Sequence, residues 1–253
     1  MFGRVGGKTK LRKQIVSKIP EHKIYVEPFV GGGSVFFEKE PVQTNAINDL
    51  DNDIYNIYVD MKNVGDTMTD KNFFPEKELF GTLMKQTEFK NDSDRLYRNL
   101  YISLNSFSCD RTSFVGPGYV KTKKKTINSS TGKKWKTTKW KKFLNNNNVD
   151  IHNEDFASII KQYDSEDTFI YLDPPYSKSS KDYVVGGIDP YQIFDALHGI
   201  KSKFILSYDN SHEIKKIFSK YNIVHVETKY SRAGEINNYI GRELLISNFQ
   251  LIN

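Results

Sequence analysis

The chain has 253 residues, 38% of them hydrophobic and 27% charged, with a formal net charge of +6. That is enough for one large domain or a domain carrying a sizeable insertion. It holds no run of about 18 apolar residues that could span a bilayer, and no apolar stretch follows the basic N-terminus "MFGRVGGKTKLRKQI", so neither a membrane helix nor a secretory signal is expected. The single cysteine, Cys109, cannot form an intrachain disulfide and suits a reducing cytoplasm or nucleus.

Taken in chain order, helix-like and strand-like segments alternate. A helix is expected over 8–19, then a strand in "KIYVEPF" (23–29), a glycine turn, a helix over 34–40 and a strand in "TNAINDL" (44–50). The alternation then breaks from about 56 to 147, resumes with "NVDIHNEDF" (148–156), and continues through a helix over 154–163. "TFIYLDPPY" (168–176), a helix over 190–200, "KFILSYDN" (203–210), a helix over 211–220 capped by Asn210 or Ser211, "NIVHVETKY" (222–230) and "ELLISNF" (243–249) complete it. This order predicts an α/β fold: a doubly wound, mostly parallel Rossmann-like sheet of about seven strands. Near-continuous apolar character at 168–172 and 203–206 suits central strands covered on both faces. The interruption is too long for an ordinary loop. It reads as an inserted, partly helical domain over 59–147, closed by a helix near 137–145, between a first portion at 1–58 and a second at 148–253.

The charge is concentrated in that insertion. From Arg111 to Val149 there is no Asp or Glu, but Arg111 and ten lysines, at 121, 123, 124, 125, 133, 134, 136, 139, 141 and 142. The rest of the chain carries 26 basic against 31 acidic residues. Trp135 and Trp140 lie in the same window. A local basic stripe with aromatics is the footprint of a polyanion partner, against the alternative of a solvated lysine-rich loop.

In open α/β sheets ligands bind beyond the carboxyl ends of the strands. After the first strand comes "EPFVGGGSVFF" (27–37), whose Gly31, Gly32 and Gly33 permit a tight turn and close approach of a ligand, with Ser34 placed to cap the next helix. It is not the dinucleotide fingerprint, because Phe36 stands where a third glycine belongs; a purely structural turn is an equal reading. After the second strand, Asp49 is placed to accept hydrogen bonds from ribose hydroxyls, whereas Asp51 and Asp53 read better as a helix cap or exposed acids. After the third, Asp155 and Phe156 could bind and cover an adenine ring, although Asp155 alone reads as a helix N-cap. The fourth strand ends in Asp173-Pro174-Pro175-Tyr176. The two rings fix the backbone, so the Pro174 carbonyl is rigidly aimed beside the Asp173 carboxylate. Two fixed acceptors suit an amino group with two hydrogens, and Tyr176 adds a stacking face.

Four blocks, "GRVGGKTKLRKQIVSKIP" (3–20), "YVEPFVGGGSVFF" (25–37), "NDLDNDIYNIY" (48–58) and "YLDPPYS" (171–177), resemble the Dam-like family of N6-adenine-specific DNA methyltransferases, in that family's order. Weaker similarity continues through "FILSYDNS" and "ETKYSRAG…ELLISNF". The resemblance implies S-adenosyl-L-methionine as methyl donor and a flipped-out adenine in double-stranded DNA as acceptor, with the insertion as target-recognition domain. By the same resemblance Lys8, Glu27, Phe29, Gly31, Gly33, Asp49, Asp155, Phe156 and Asp173 form the cofactor site. Asp173, Pro174 and Tyr176 carry catalysis: the first two accept the N6 hydrogens and Tyr176 stacks on the extruded base. Transfer is then direct and in-line, with no covalent nucleophile and no metal. For DNA, Arg111 is a candidate to read guanine or hold a phosphate, and Lys121, Lys123, Lys124, Lys133 and Lys134 are expected on phosphates. Two departures stand out. Arg4 replaces a tryptophan common in the family, and "NSFSCDRTSFVGPG" replaces the Arg-Tyr-Asn hairpin of members that read GATC, so that specificity is not implied. Methylation of RNA adenine, cytosine N4 or a protein glutamine, a catalytically silent DNA-binding module, and a nicotinamide-type Rossmann enzyme are the weaker readings. A restriction endonuclease partner would have to be another chain, and a monomer acting on each strand in turn is the expected state.

Overall fold

The computed structural model describes residues 8–106, 111–115, 119–122, 125–128, 137–176, 187–230 and 239–251. It divides into two compact units, a sheet unit of 8–51 and 149–253 and a mainly helical unit containing 52–148.

The sheet unit contains β1 (Ile24–Glu27), β2 (Thr44–Asn48), β5 (Val149–His152), β6 (Thr168–Leu172), β7 (Lys203–Asp209), β8 (Asn222–Tyr230) and β9 (Tyr239–Ser247). Their order across the sheet is β5-β2-β1-β6-β7-β9-β8. Strands β5, β2, β1, β6 and β7 are parallel, β9 runs antiparallel to β7, and β8 antiparallel to β9. The fold is thus α/β with a seven-stranded, mostly parallel sheet. β6 is buried at all five positions, the mark of a central strand covered on both faces. One face packs Ile170, Leu172, Phe204 and Leu206 against α6 (Phe156–Tyr163), α7 (Pro190–Ala196) and α8 (His212–Ile217), through Ile159, Ile160, Ile193, Ile214 and Phe218. The opposite face carries Tyr25, Phe169 and Phe36, with the Tyr25 and Phe169 rings 6.2 Å apart.

Helices end sooner than their periodicity suggests. Only Arg12–Val16 of 8–19 is helical (α1), and α8 begins after Ser211, whose side chain caps Ile214. The expected helix over 34–40 is absent; the segment is a series of turns. Phe37 bonds back to Gly33 and Lys39 to Val35, but Glu38 bonds only three residues back, to Val35. Val35, Phe36 and Phe37 are modest helix formers, and Phe36 is drawn into the core beside Tyr25. Ser34 therefore caps no helix; its hydroxyl lies 3.5 Å from that of Thr9.

The second unit holds α2 (Asn52–Val64), a short 3-10 turn (Gly65–Met68), α3 (Lys77–Lys85), α4 (Asp92–Asn105), the antiparallel hairpin β3 (Tyr119–Thr122) and β4 (Lys125–Asn128), and α5 (Thr137–Asn146). Phe80, Leu83, Tyr101 and Ile102 make a small core. α2 and α4 are cross-linked by Arg95, which donates to both oxygens of the buried Asp60 at 2.9 and 2.5 Å. Helix α2 belongs with this unit, which begins at Asn52 and ends at Asn148.

Candidate active site

The sheet reverses direction between β1 and β6: the chain steps from β1 outward to β2 and β5, then crosses back to β6 and β7. This reversal opens a crevice beyond the carboxyl ends of those strands. The loop Glu27–Gly33 leaves β1 there, and Asp173–Tyr176 leaves β6.

The side-chain period of two decides which groups meet. Register places Tyr171 opposite Ile205 and Leu172 opposite Leu206, which carries Asp173 to Ser207; Ser207 in turn is opposite Leu245, and Asp209 opposite Glu243. Asp173, Ser207 and Glu243 therefore share one face with Tyr25 and Glu27. Lys8 covers that face. Its Nζ donates to Asp173 Oδ1 at 2.7 Å and to the Tyr176 hydroxyl at 3.2 Å, and lies 3.5 Å from Glu243 Oε2. Lys8 is only 5% exposed. Burial would lower its pKa, but the charge of Asp173, with Tyr176 and Glu243 behind it, overrides burial and holds the ammonium firmly charged.

Tyr176 stacks on Tyr208, with ring centroids 4.8 Å apart and planes 23° from parallel, so one face of the Tyr176 ring is braced. Ser207 Oγ donates to the same Asp173 Oδ1 at 3.1 Å. Among the described residues no donor reaches Asp173 Oδ2 or the Pro174 carbonyl, whereas the Pro175 carbonyl accepts from the Ile188 amide at 3.2 Å.

The loop after β1 is organised by Asp49. Gly31 and Gly33 have φ of 47° and 68°, a left-handed conformation that glycine adopts without strain. The Gly31 amide donates to Asp49 Oδ2 at 2.9 Å, and the Asp51 amide to Oδ1 at 3.0 Å. Asn48, buried, donates to the carbonyls of Pro28 and Glu154 and accepts from the Glu154 amide, so one amide side chain joins the ends of β1, β2 and β5. The rings of Phe29 and Phe156 lie 5.2 Å apart. Asp155 caps α6, accepting from the Ala157 amide at 2.9 Å.

Glu27, expected at the cofactor site, is a buried carboxyl at the end of β1. The Tyr25 hydroxyl donates to its Oε2 at 2.7 Å. Burial, chiefly, pushes the Glu27 carboxyl up to about 8; nearby, burial pushes the Lys39 ammonium down to about 8. Arg111, expected on DNA, is buried in the helical unit with its guanidinium on Asp53, which also takes Arg98 at 2.7 Å. A charge so enclosed is placed to hold its own loop. Its neighbours Ser106 and Phe114 form a bridge, and Phe114 packs on Phe80. Side chains of Lys121, Lys123, Lys124, Lys133 and Lys134, with Arg4, Cys109 and Trp135, lie outside the described residues. Ser207 and Glu243 had no role assigned from sequence, and only pairing of β6, β7 and β9 brings them to the face of Asp173; Tyr171 lies within the "YLDPPYS" block and reaches that face by alternation along β6.

The family model for D12 class N6 adenine-specific DNA methyltransferases matches residues 5–232. The chain belongs to this family. As a D12 class enzyme it is an adenine-specific DNA methyltransferase, with S-adenosylmethionine as methyl donor. A type II methyltransferase of Lactococcus lactis subsp. cremoris is 27% identical over 283 residues, covering 96% of this chain and 93% of that protein. A type II methyltransferase of Methanocaldococcus jannaschii is 28% identical over 247 residues, covering 86% and 83%. A DNA adenine methylase of Vibrio cholerae is 32% identical over 109 residues, covering 40% and 38%. Among the described residues of the methyltransferase, no helix is long and apolar enough to cross a membrane.

Proposed function

We propose that the Asp173–Tyr176 turn receives a flipped-out adenine from duplex DNA. The observation that carries this reading is the pair of acceptors, Asp173 Oδ2 and the Pro174 carbonyl, that no donor reaches among the described residues, beside a Tyr176 ring already braced on one side by Tyr208. Adenine N6 is a weak nucleophile because its lone pair is delocalised into the ring. Accepting both N–H hydrogens localises that lone pair, and stacking on the Tyr176 ring holds the plane. N6 then attacks the sulfonium methyl in line, helped by positioning and fixed electrostatics.

On the donor side, the Gly31–Gly33 loop held by Asp49 supplies close backbone approach, Asp49 at the end of β2 meets the ribose hydroxyls, and the packed Phe29–Phe156 pair offers one wall to the adenine. Lys8 touches the reacting turn and neutralises Asp173, while Glu27 supports the loop from below. The helical unit, residues 59–147 in its functional extent, is the target-recognition domain, and the lysines of 121–142 hold phosphates. The enzyme acts as a monomer within the compartment holding its DNA, alone or beside a restriction endonuclease on a separate chain. The direct test is methyl transfer from labelled S-adenosylmethionine to unmethylated genomic DNA by wild type and Asp173→Ala. Transfer to N6 by wild type and none by a folded variant is expected; full activity of Asp173→Ala refutes the mechanism. Mapping the modified adenines gives the recognition sequence.

A further inference from the structure

Among the described residues, Asp173 is gripped on one oxygen only. Behind it, Ser207 Oγ lies 3.1 Å from Asp173 Oδ1, 3.3 Å from the Leu172 carbonyl and 3.0 Å from the Tyr171 hydroxyl. Ser207 is 0% exposed and Tyr171 1%. A serine hydroxyl has one proton to give, and a carboxylate is a stronger acceptor than a carbonyl. With that proton on Asp173, the hydrogen between Ser207 and Tyr171 must come from the phenol. The chain therefore runs Tyr171 to Ser207 to Asp173 Oδ1. Burial first, then the Asp173 charge, pushes the Tyr171 phenol well up, so it keeps the proton it donates. Lys8 takes the other lone pair of Oδ1.

We propose that Ser207, and Tyr171 through it, are positioning residues for methyl transfer. With Lys8 they saturate Oδ1, stop the carboxylate from rotating about its broad terminal torsion, and leave Oδ2 alone to meet the amino group. The proposal rests on the reading of Asp173 as amino acceptor. Both hydroxyls are buried behind Asp173 and act on it alone, so the chemical step should feel their loss and binding should not.

Single-turnover methylation of genomic DNA from a methylation-deficient strain tests this, together with calorimetric affinity for S-adenosylmethionine and the thermal midpoint. Ser207→Ala should slow the step roughly ten- to a hundred-fold, as expected for one hydrogen bond to a charged group, with donor affinity within about twofold of wild type. Tyr171→Phe should slow it less, and the double variant should be no slower than Ser207→Ala, because Tyr171 acts only through Ser207. A wild-type rate in Ser207→Ala, multiplying effects in the double variant, or a loss confined to donor affinity overturns the proposal. If Ser207→Ala does not fold, Tyr171→Phe decides: a slowed step at unchanged affinity supports the relay and a wild-type rate overturns it. Asp173→Ala separates the two levels. Activity there overturns the acceptor role itself, whereas an inactive Asp173→Ala beside a fully active Ser207→Ala overturns only the relay.

Discussion

Asp173 shows how much one side chain's surroundings constrain its substitution. Two donors, Lys8 and Ser207, converge on Oδ1. In Asp173→Asn they would select the amide oxygen at that position and turn the NH2 toward the substrate, where a second donor would face the N6 hydrogens. Single-turnover assay should show a loss of about a hundred- to a thousand-fold, although the substitution is nearly isosteric. Glu27 gives a stability prediction. Its folded pKa is raised to about 8 from 4.5, so the folded chain binds the proton more tightly than the unfolded one. The resulting stabilisation is complete below 4.5 and lost as pH rises through 8. Lys39, lowered to about 8 from 10.5, works oppositely, restoring stability between 8 and 10.5. Thermal midpoints should therefore pass through a minimum near pH 8, and Glu27→Gln should flatten the falling limb by on the order of a few kcal/mol. An unchanged pH profile in that variant would show that Glu27 is not protonated in its pocket.

At the level of elements, Arg111 tests what its loop is for. Its guanidinium joins that of Arg98 on Asp53, at the start of α2. Arg111→Ala should lower the thermal midpoint, by about 1–3 kcal/mol of stability, while leaving the methylated sequence as it is. A changed recognition sequence at unchanged stability would make Arg111 a base reader after all. The exposed lysines Lys139 and Lys142 on α5 belong to the phosphate reading. Replacing both by Ala should reduce the slope of log affinity against log salt by about two, uniformly across DNA sequences, in a binding titration. The elements also show what was legible beforehand. Strands announced themselves because buried β-branched runs such as 168–172 have few other uses, and the Asp155 cap was readable because a cap is a local bond. The 34–40 segment misled because its apolar spacing serves turns packed beside Tyr25 as well as it would a helix. The Asp53 partner of Arg111 was not legible, because a basic residue in an acid-free window looks solvent-bound until a partner 58 residues earlier in the chain is known. Ser207 and Glu243 were illegible for the same reason: their role follows from register between distant strands.

For the molecule as a whole, the sheet's order makes β9 indispensable. Among the described residues, strand β8 pairs with β9 alone, and β9 joins it to β7. A chain ending at residue 230 should lose cooperative unfolding and donor binding by calorimetry; retained binding would show that the five parallel strands suffice. The same arrangement bears on synthesis. Lys8 meets Asp173 across 165 residues and meets Glu243 on β9, farther still along the chain. A growing polypeptide leaving the ribosome thus carries the donor-site loop long before its reacting turn is complete. Such distant contacts form slowly. The clamp of Lys8 on the turn after β6 is therefore expected among the late events of folding, after the local helices and turns have formed.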